Sequence, residues 1–151
     1  MKTRYETDVV AWAAEQAQFI RAGRFDQLDL EHLAEEIEDV GKSEQRELAS
    51  RMAVLLVHLL KWQFQPQRRS NSWAGTIRVQ RRQLAIAIQV TPSLKVALNN
   101  PDWQEIVWGD ALTAATKETG LELDTFPEAC PWEMVDVLSE GWLPPNVQLG
   151  G

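Results

Sequence analysis

Acidic residues are missing from a long central part of this chain: no Asp or Glu occurs from Leu48 to Pro101, although eight Lys and Arg lie there. The flanks carry the opposite balance. Residues 1–47 hold 12 acids against 6 bases, and residues 102–151 hold 10 acids against one base, giving a chain of net charge −7. That sign argues against nonspecific binding of nucleic acid or of an anionic membrane by the molecule as a whole. Cysteine is nearly absent as well. Cys130 alone excludes an intrachain disulfide and a cysteine-based zinc site, and it suits a reducing cytoplasm. No apolar run follows the basic residues near the start, so no signal peptide is expected. The longest apolar run, Ala53–Leu60 interrupted by His58, falls well short of the ~20 residues of a membrane span. The expected location is the cytoplasm, with no membrane partner.

Strand-like alternation, internal repeats and low-complexity stretches are missing too. What is present is helical periodicity, and the expected fold is all-α: an antiparallel bundle of about four main helices in a single domain, residues 1–151, with short extra helices and a C-terminal capping segment. The first helix is expected over 8–22, with Thr7 as N-cap, Gly23 as its stop and Val9, Trp12, Ala13, Gln16 and Ile20 on one face. Residues 29–65 are the centre of the chain. Asp29 or Asp26 can cap them, and Leu30, Leu33, Ile37 and Val40 repeat at helical spacing as an apolar face amid Glu31, Glu35, Glu38 and Asp39. Gly41 suggests a turn and two helices, 29–40 and 43–65, with one long bent helix as the alternative. In the second part Leu48, Met52, Leu55, Leu59 and Trp62 share a narrow sector. Leu56, Leu60, Ala53, Val57 and Phe64 widen it beyond half the circumference, as in a central helix contacted on several sides.

A polar turn at Gln65–Asn71 precedes a helix over 72–90, capped by Ser70 or Ser72, with Trp73, Ile77, Leu84 and Ile88 on its core face. One or two helical turns follow within Ser93–Leu98. Asn100 and Pro101 open a helix over 101–118, with Trp103, Ile106, Val107, Asp110, Ala111 and Ala114 along one side and Gly120 as its end. Phe126 and Cys130 are expected to pin the next loop. A last helix is expected over Trp132–Ser139 and an extended tail over 140–151.

Taken together, the opening YETDVVAWAAEQAQFIRAGRFDQLDLEHLAEEIEDVGKSEQRELASR, then HLLKWQFQP, Ser72-Trp73, TIRVQRRQL, TPSL, ETGL and FPEACPW, resemble the bacterial family of unknown function numbered twenty-nine. The likeness runs from about Tyr5 to Leu143. It implies a compact helical protein of a family common in cyanobacteria and proteobacteria. It brings no catalytic residue with it, since that family has no established activity.

Reaction motifs are lacking. There is no GxGxxG, P-loop, GxSxG or HExxH. Asp29-Leu30-Glu31-His32 has the spacing of a carboxylate-bridged metal site, but the two histidines of the chain, His32 and His58, lack the second ExxH that such a site needs. His32 therefore reads as incidental on a solvated acidic face, and no metal or cofactor is expected. His58 lies between Arg51 and Lys61 on the polar strip of the central helix. If the preceding helix folds back at Gly41, Glu35 and Glu36 face His58, Lys61 and Arg81, as a structural polar network or as a Glu36–His58–Lys61 catalytic pocket. Arg78, Arg81, Arg82 and Trp73, within the basic region 51–82, are the candidate nucleic-acid contacts. Seven tryptophans exceed what a core of this size needs, and aromatic residues gather at interfaces. The reading that accounts for most of this is a non-enzymatic protein-interaction or structural module with a protein partner or a second copy, Trp108, Trp142 or the tail being its expected contact. Nucleic-acid binding and an enzyme with a Glu/His/Lys pocket are the alternatives.

Overall fold

A computed structural model describes residues 3–147. Six α-helices are formed among them and no strand: α1 (Val9–Arg21), α2 (Leu30–Phe64), α3 (Asn71–Val90), α4 (Leu94–Leu98), α5 (Pro101–Thr119) and α6 (Met134–Val137). The chain is all-α, with four long helices, as the periodicity requires. It divides into two compact units, Met1–Ser43 and Glu44–Gly151.

The first unit contains α1 and the start of α2. Asp8, not Thr7, caps α1: its carboxylate accepts from the Ala11 N–H at 3.1 Å. Gly23 ends it with φ of +72°, and the N–H groups of Gly23 and Arg24 reach back to the carbonyls of Ile20 and Phe19 at 3.1 and 2.8 Å. Such a return needs a left-handed residue, which glycine supplies without strain. Asp29 caps α2, where its carbonyl accepts from Leu33 N–H at 2.9 Å. The turn at Gly41 is not formed. A single glycine costs a helix only about 1 kcal/mol, and α2 passes through it as one element of 35 residues.

The apolar face expected on the first part of α2 is not a core face. Leu30, Ile37 and Val40 are 70%, 70% and 67% exposed, and Leu33 is half-buried. Val9 and Ile20 on α1 are exposed as well, and what α1 buries is Trp12 and Gln16.

The second unit has a conventional core. Leu48, Met52, Leu55, Leu56, Val57, Leu59 and Leu60 of α2 are buried and cluster with Ile77 and Leu84 of α3, Leu94 and Leu98 of α4, Val107, Trp108, Ala111 and Ala115 of α5, Phe126, and Val137 of α6. Ser70 caps α3 through its hydroxyl at 3.2 Å from Trp73 N–H, and Asn100 caps α5 at 2.9 Å from Asp102 N–H. Trp73, Ile88 and Trp103 are half-buried, while Ile106 is exposed and Val107 takes its place in the core. Phe126 is buried and Cys130 half-buried, with burial pushing the Cys130 thiol pKa up. The last helix is shorter than Trp132–Ser139. Residues 142–147 form no regular element, and the rest of the expected tail lies outside the described residues.

Candidate functional site

Each hydrogen-bonded member of the expected polar network has its own partner. Glu36, in the first unit, accepts from the Tyr5 hydroxyl at 2.5 Å, and Glu35 is exposed. His58 turns back along its own helix, with Nδ1 2.8 Å from the Val54 carbonyl oxygen. Lys61 Nζ donates to Glu118 Oε1 of α5 at 3.0 Å and lies 5.7 Å from the centre of the Trp73 ring. Arg81 is buried, donating from Nε to the Val137 carbonyl at 2.8 Å and from Nη2 to the Trp142 carbonyl at 2.6 Å. Its burial lowers its pKa, and both bonds fasten α6 and the segment after it to α3. Among the described residues no hydrogen bond or ion pair joins His58, Lys61 and Arg81 to one another.

Arg78 and Arg82, unlike Arg81, are exposed, and neither belongs to an ion pair among the described residues. Both line a groove of about 670 Å³ that follows α3. Ala74, Ile77, Arg78, Arg81, Arg82, Ala85, Ile86 and Gln89 form one wall. Their spacing of three and four marks a single face of α3, running ~22 Å from Ala74 to Gln89 at 1.5 Å per residue. Trp62, Leu138 and Leu143 supply further apolar surface. The C-terminal segment that borders the groove is held by three long side chains: Arg81 on Trp142, Gln63 on the Pro145 carbonyl at 2.8 Å, and Arg69 on Asn146 Oδ1 at 2.7 Å. Arg69 also lies over the Trp62 ring at 5.0 Å and donates to its carbonyl. Ile86 and Leu143 remain 47% and 40% exposed in this groove.

Trp108 is buried, its indole N–H donating to the Pro127 carbonyl at 3.1 Å, and Trp142 is half-buried edge-on to Trp132. Neither is an exposed anchor, and none of the seven tryptophans is exposed. The groove escapes sequence reading because its floor mixes alanines with residues that also look like core. The pairing of alanines and arginines on one face of α3 is the signal that would have marked it.

A second cluster, in the first unit, was equally hidden. Asp29 accepts the Trp12 indole N–H at 3.0 Å and lies 2.7 Å from His32 Nδ1 through the same oxygen, while its backbone N–H donates to buried Gln16 at 2.8 Å. His32 Nε2 is 3.3 Å from Glu6 Oε1, and the His32 ring stacks on Tyr5 at 4.2 Å. Carboxylates only accept, so both ring nitrogens are drawn toward the protonated form. The Asp29 hydrogen bond, working against desolvation, accordingly raises the His32 pKa. Desolvation would lift Asp29, but the bonds from His32 and Trp12 outweigh it and hold its pKa below the usual value. The bond to Glu36 pushes the Tyr5 pKa up to about 12. His32 is thus a joint of the unit, not an incidental surface residue. Among the described residues no group of three or more His, Cys, Asp or Glu is placed to hold a metal ion, and no helix is long and apolar enough to cross a membrane.

A solved structure resembles this chain: an alpha-helical protein of unknown function from Rhodospirillum rubrum, 26% identical, with a TM-score of 0.52 over 94% of this chain and 93% of that one. Among curated proteins, none matches. The family model described as "Domain of unknown function DUF29" matches residues 4–143, and with nearly its whole length so matched the chain belongs to that family.

Proposed function

We propose that this chain is a non-enzymatic helical interaction module, working in a reducing cytoplasm, whose α3 groove holds an acidic amphipathic helix from a protein partner. The groove itself carries the reading. Its walls are mainly apolar, it is longer than a short ligand needs, and it displays two exposed guanidinium groups, Arg78 and Arg82, that have no ion-pair partner among the described residues. Helices dock in such grooves through apolar residues spaced three and four apart, and arginine favours carboxylates on their flanks. A nucleic-acid role has less support: Arg81 is committed to two backbone carbonyls, and Trp73 is half-buried with Lys61 Nζ of α2 over its ring at 5.7 Å.

The test is a titration of the isotope-labelled chain with a helical peptide bearing leucines three and four apart and glutamates beside them. Saturable shifts of amides in Ala74–Gln89 and Leu138–Leu143 are expected, weakened by Arg78→Ala with Arg82→Ala. A lysine-flanked peptide should bind at least about tenfold less tightly, the equivalent of roughly 1.4 kcal/mol. No shift at the groove, or tighter binding of an oligonucleotide pool that salt abolishes, would overturn the reading.

A further inference from the structure

The partner helix that fits this groove is present in the sequence of the chain itself. We infer that the α3 groove of one copy receives the exposed stripe Leu30–Val40 of α2 from a second copy. The inference rests on the groove being a helix-docking site and goes further by naming the occupant.

The stripe has the required chemistry. Leu30, Leu33, Ile37 and Val40 are spaced three, four and three, which places them on one face of a continuous helix. Three of the four stay at least two-thirds exposed, an apolar surface left without cover in a single chain. The stripe spans ~15 Å, within the ~22 Å that the groove follows along α3. Glu31, Glu35, Glu38 and Asp39, all exposed, lie beside it. The groove offers Ala85, Ile86, Leu143 and half-buried Leu138 as apolar surface, with Arg78 and Arg82 on the α3 side and the single acid Glu140 on the other.

Charge makes the commitment to a second copy more specific. Residues 1–47 carry net −6 and residues 48–101 net +8. Among the described residues only Arg51 and Lys61 of those eight bases form ion pairs with acids. Arg69 and Arg81 are held by polar groups of their own chain, which leaves Arg68, Arg78, Arg82 and Lys95 to act between molecules, where such charges steer encounter and suppress wrong partners. Each copy holds both halves of the contact, so a reciprocal exchange of stripes closes an isologous dimer, whereas a one-way contact is heterologous and propagates.

Sedimentation velocity over a range of concentrations, at low and high salt, tests this on the full chain. Wild type should associate reversibly and less at high salt. Ile37→Asp, which spoils the stripe, and Ile86→Asp, which spoils the groove, should each weaken association by at least about tenfold. An equimolar mixture of the two should form one-to-one pairs, because one variant keeps the groove and the other the stripe. If Ile86→Asp fails to fold by circular dichroism, Arg82→Glu with Glu35→Arg serves instead. Each weakens association alone, and the mixture regains it through the intact halves. A wild type that stays monomeric throughout, or a mixture that stays monomeric, overturns the inference. The peptide titration then separates the two claims: groove shifts with a monomeric chain leave the docking site standing with another protein as its partner, and their absence removes both.

Discussion

The two units of this chain solve the problem of stability in opposite ways. Glu44–Gly151 buries aliphatic side chains: seven consecutive-turn residues of α2 between Leu48 and Leu60 are at most 3% exposed, and four other helices contribute to the same cluster. Met1–Ser43 turns most of its aliphatic residues outward and closes around Trp12, Gln16, Asp29 and His32, a junction of hydrogen bonds and stacked rings. Some forty residues cannot enclose much apolar volume, so directional bonds take over. Hydrogen bonds fix geometry but add only about 1 kcal/mol each. The first unit is accordingly well specified, weakly stabilised and rich in uncovered apolar surface. That combination suits a surface presented to a partner.

The contrast is broken most strongly by removing methylenes. Leu59→Ala, at a position with no exposure, should cost about 3–5 kcal/mol through lost transfer energy and the cavity left behind. Val10→Ala in α1, at 77% exposed, should fall within about 0.5 kcal/mol of wild type. Urea unfolding of both variants at low protein concentration measures the difference. Equal losses would mean that the first unit hides an aliphatic core of its own.

Proton linkage sharpens the contrast from the other side. The His32 pKa is raised above 6.5 in the folded chain, so its contribution is complete below that value and is lost as pH rises through the folded pKa. The Asp29 pKa is depressed below 3.8, so its contribution is present above that value and is lost as pH falls through the folded pKa. Amide protection in α1 and the start of α2, corrected for intrinsic exchange, should therefore be greatest from about pH 4 to 6.5 and decline on both sides. His32→Gln should flatten the alkaline decline and leave the amides around Leu59 unchanged. A decline that survives the substitution would remove His32 from its assigned role.

Helices were the part of this molecule most plainly written in its residues. Ser70, Asn100 and Gly120 mark ends that a reader can locate, because caps act through local geometry. The buried sector of α2 around Leu55 and Leu59 is legible for a similar reason: a helix apolar on most sides has to be enclosed. The stripe at Leu30–Val40 has the same periodicity as a core face and yet lies open. Periodicity reports that a face is apolar and says nothing of which surface covers it. The site suffered most. Glu36, His58, Lys61 and Arg81 have the composition of a pocket, but each bonds elsewhere: His58 to a carbonyl of its own helix, and the others to partners that only tertiary structure supplies, a tyrosine hydroxyl, an acid on α5 and two backbone oxygens. His32, incidental in the sequence for want of a second ExxH, draws its importance from Trp12 and Tyr5, which lie on other segments.

The smallest effect belongs to Gly41, the position that separates a helical hairpin from a continuous helix. In α2 it has helical backbone, is exposed, and a Cβ built there meets nothing within 4 Å. Alanine lowers the entropy of the unfolded chain and favours the helix, so Gly41→Ala should stabilise by about 0.5–1 kcal/mol. A turn would give the opposite sign, since a glycine in a left-handed turn loses stability on gaining a Cβ. Protection of the amides of Lys42–Gln45 gives an independent readout. In a continuous helix they donate to carbonyls four residues earlier and exchange more slowly in the alanine variant; at a turn their exchange would stay fast or quicken.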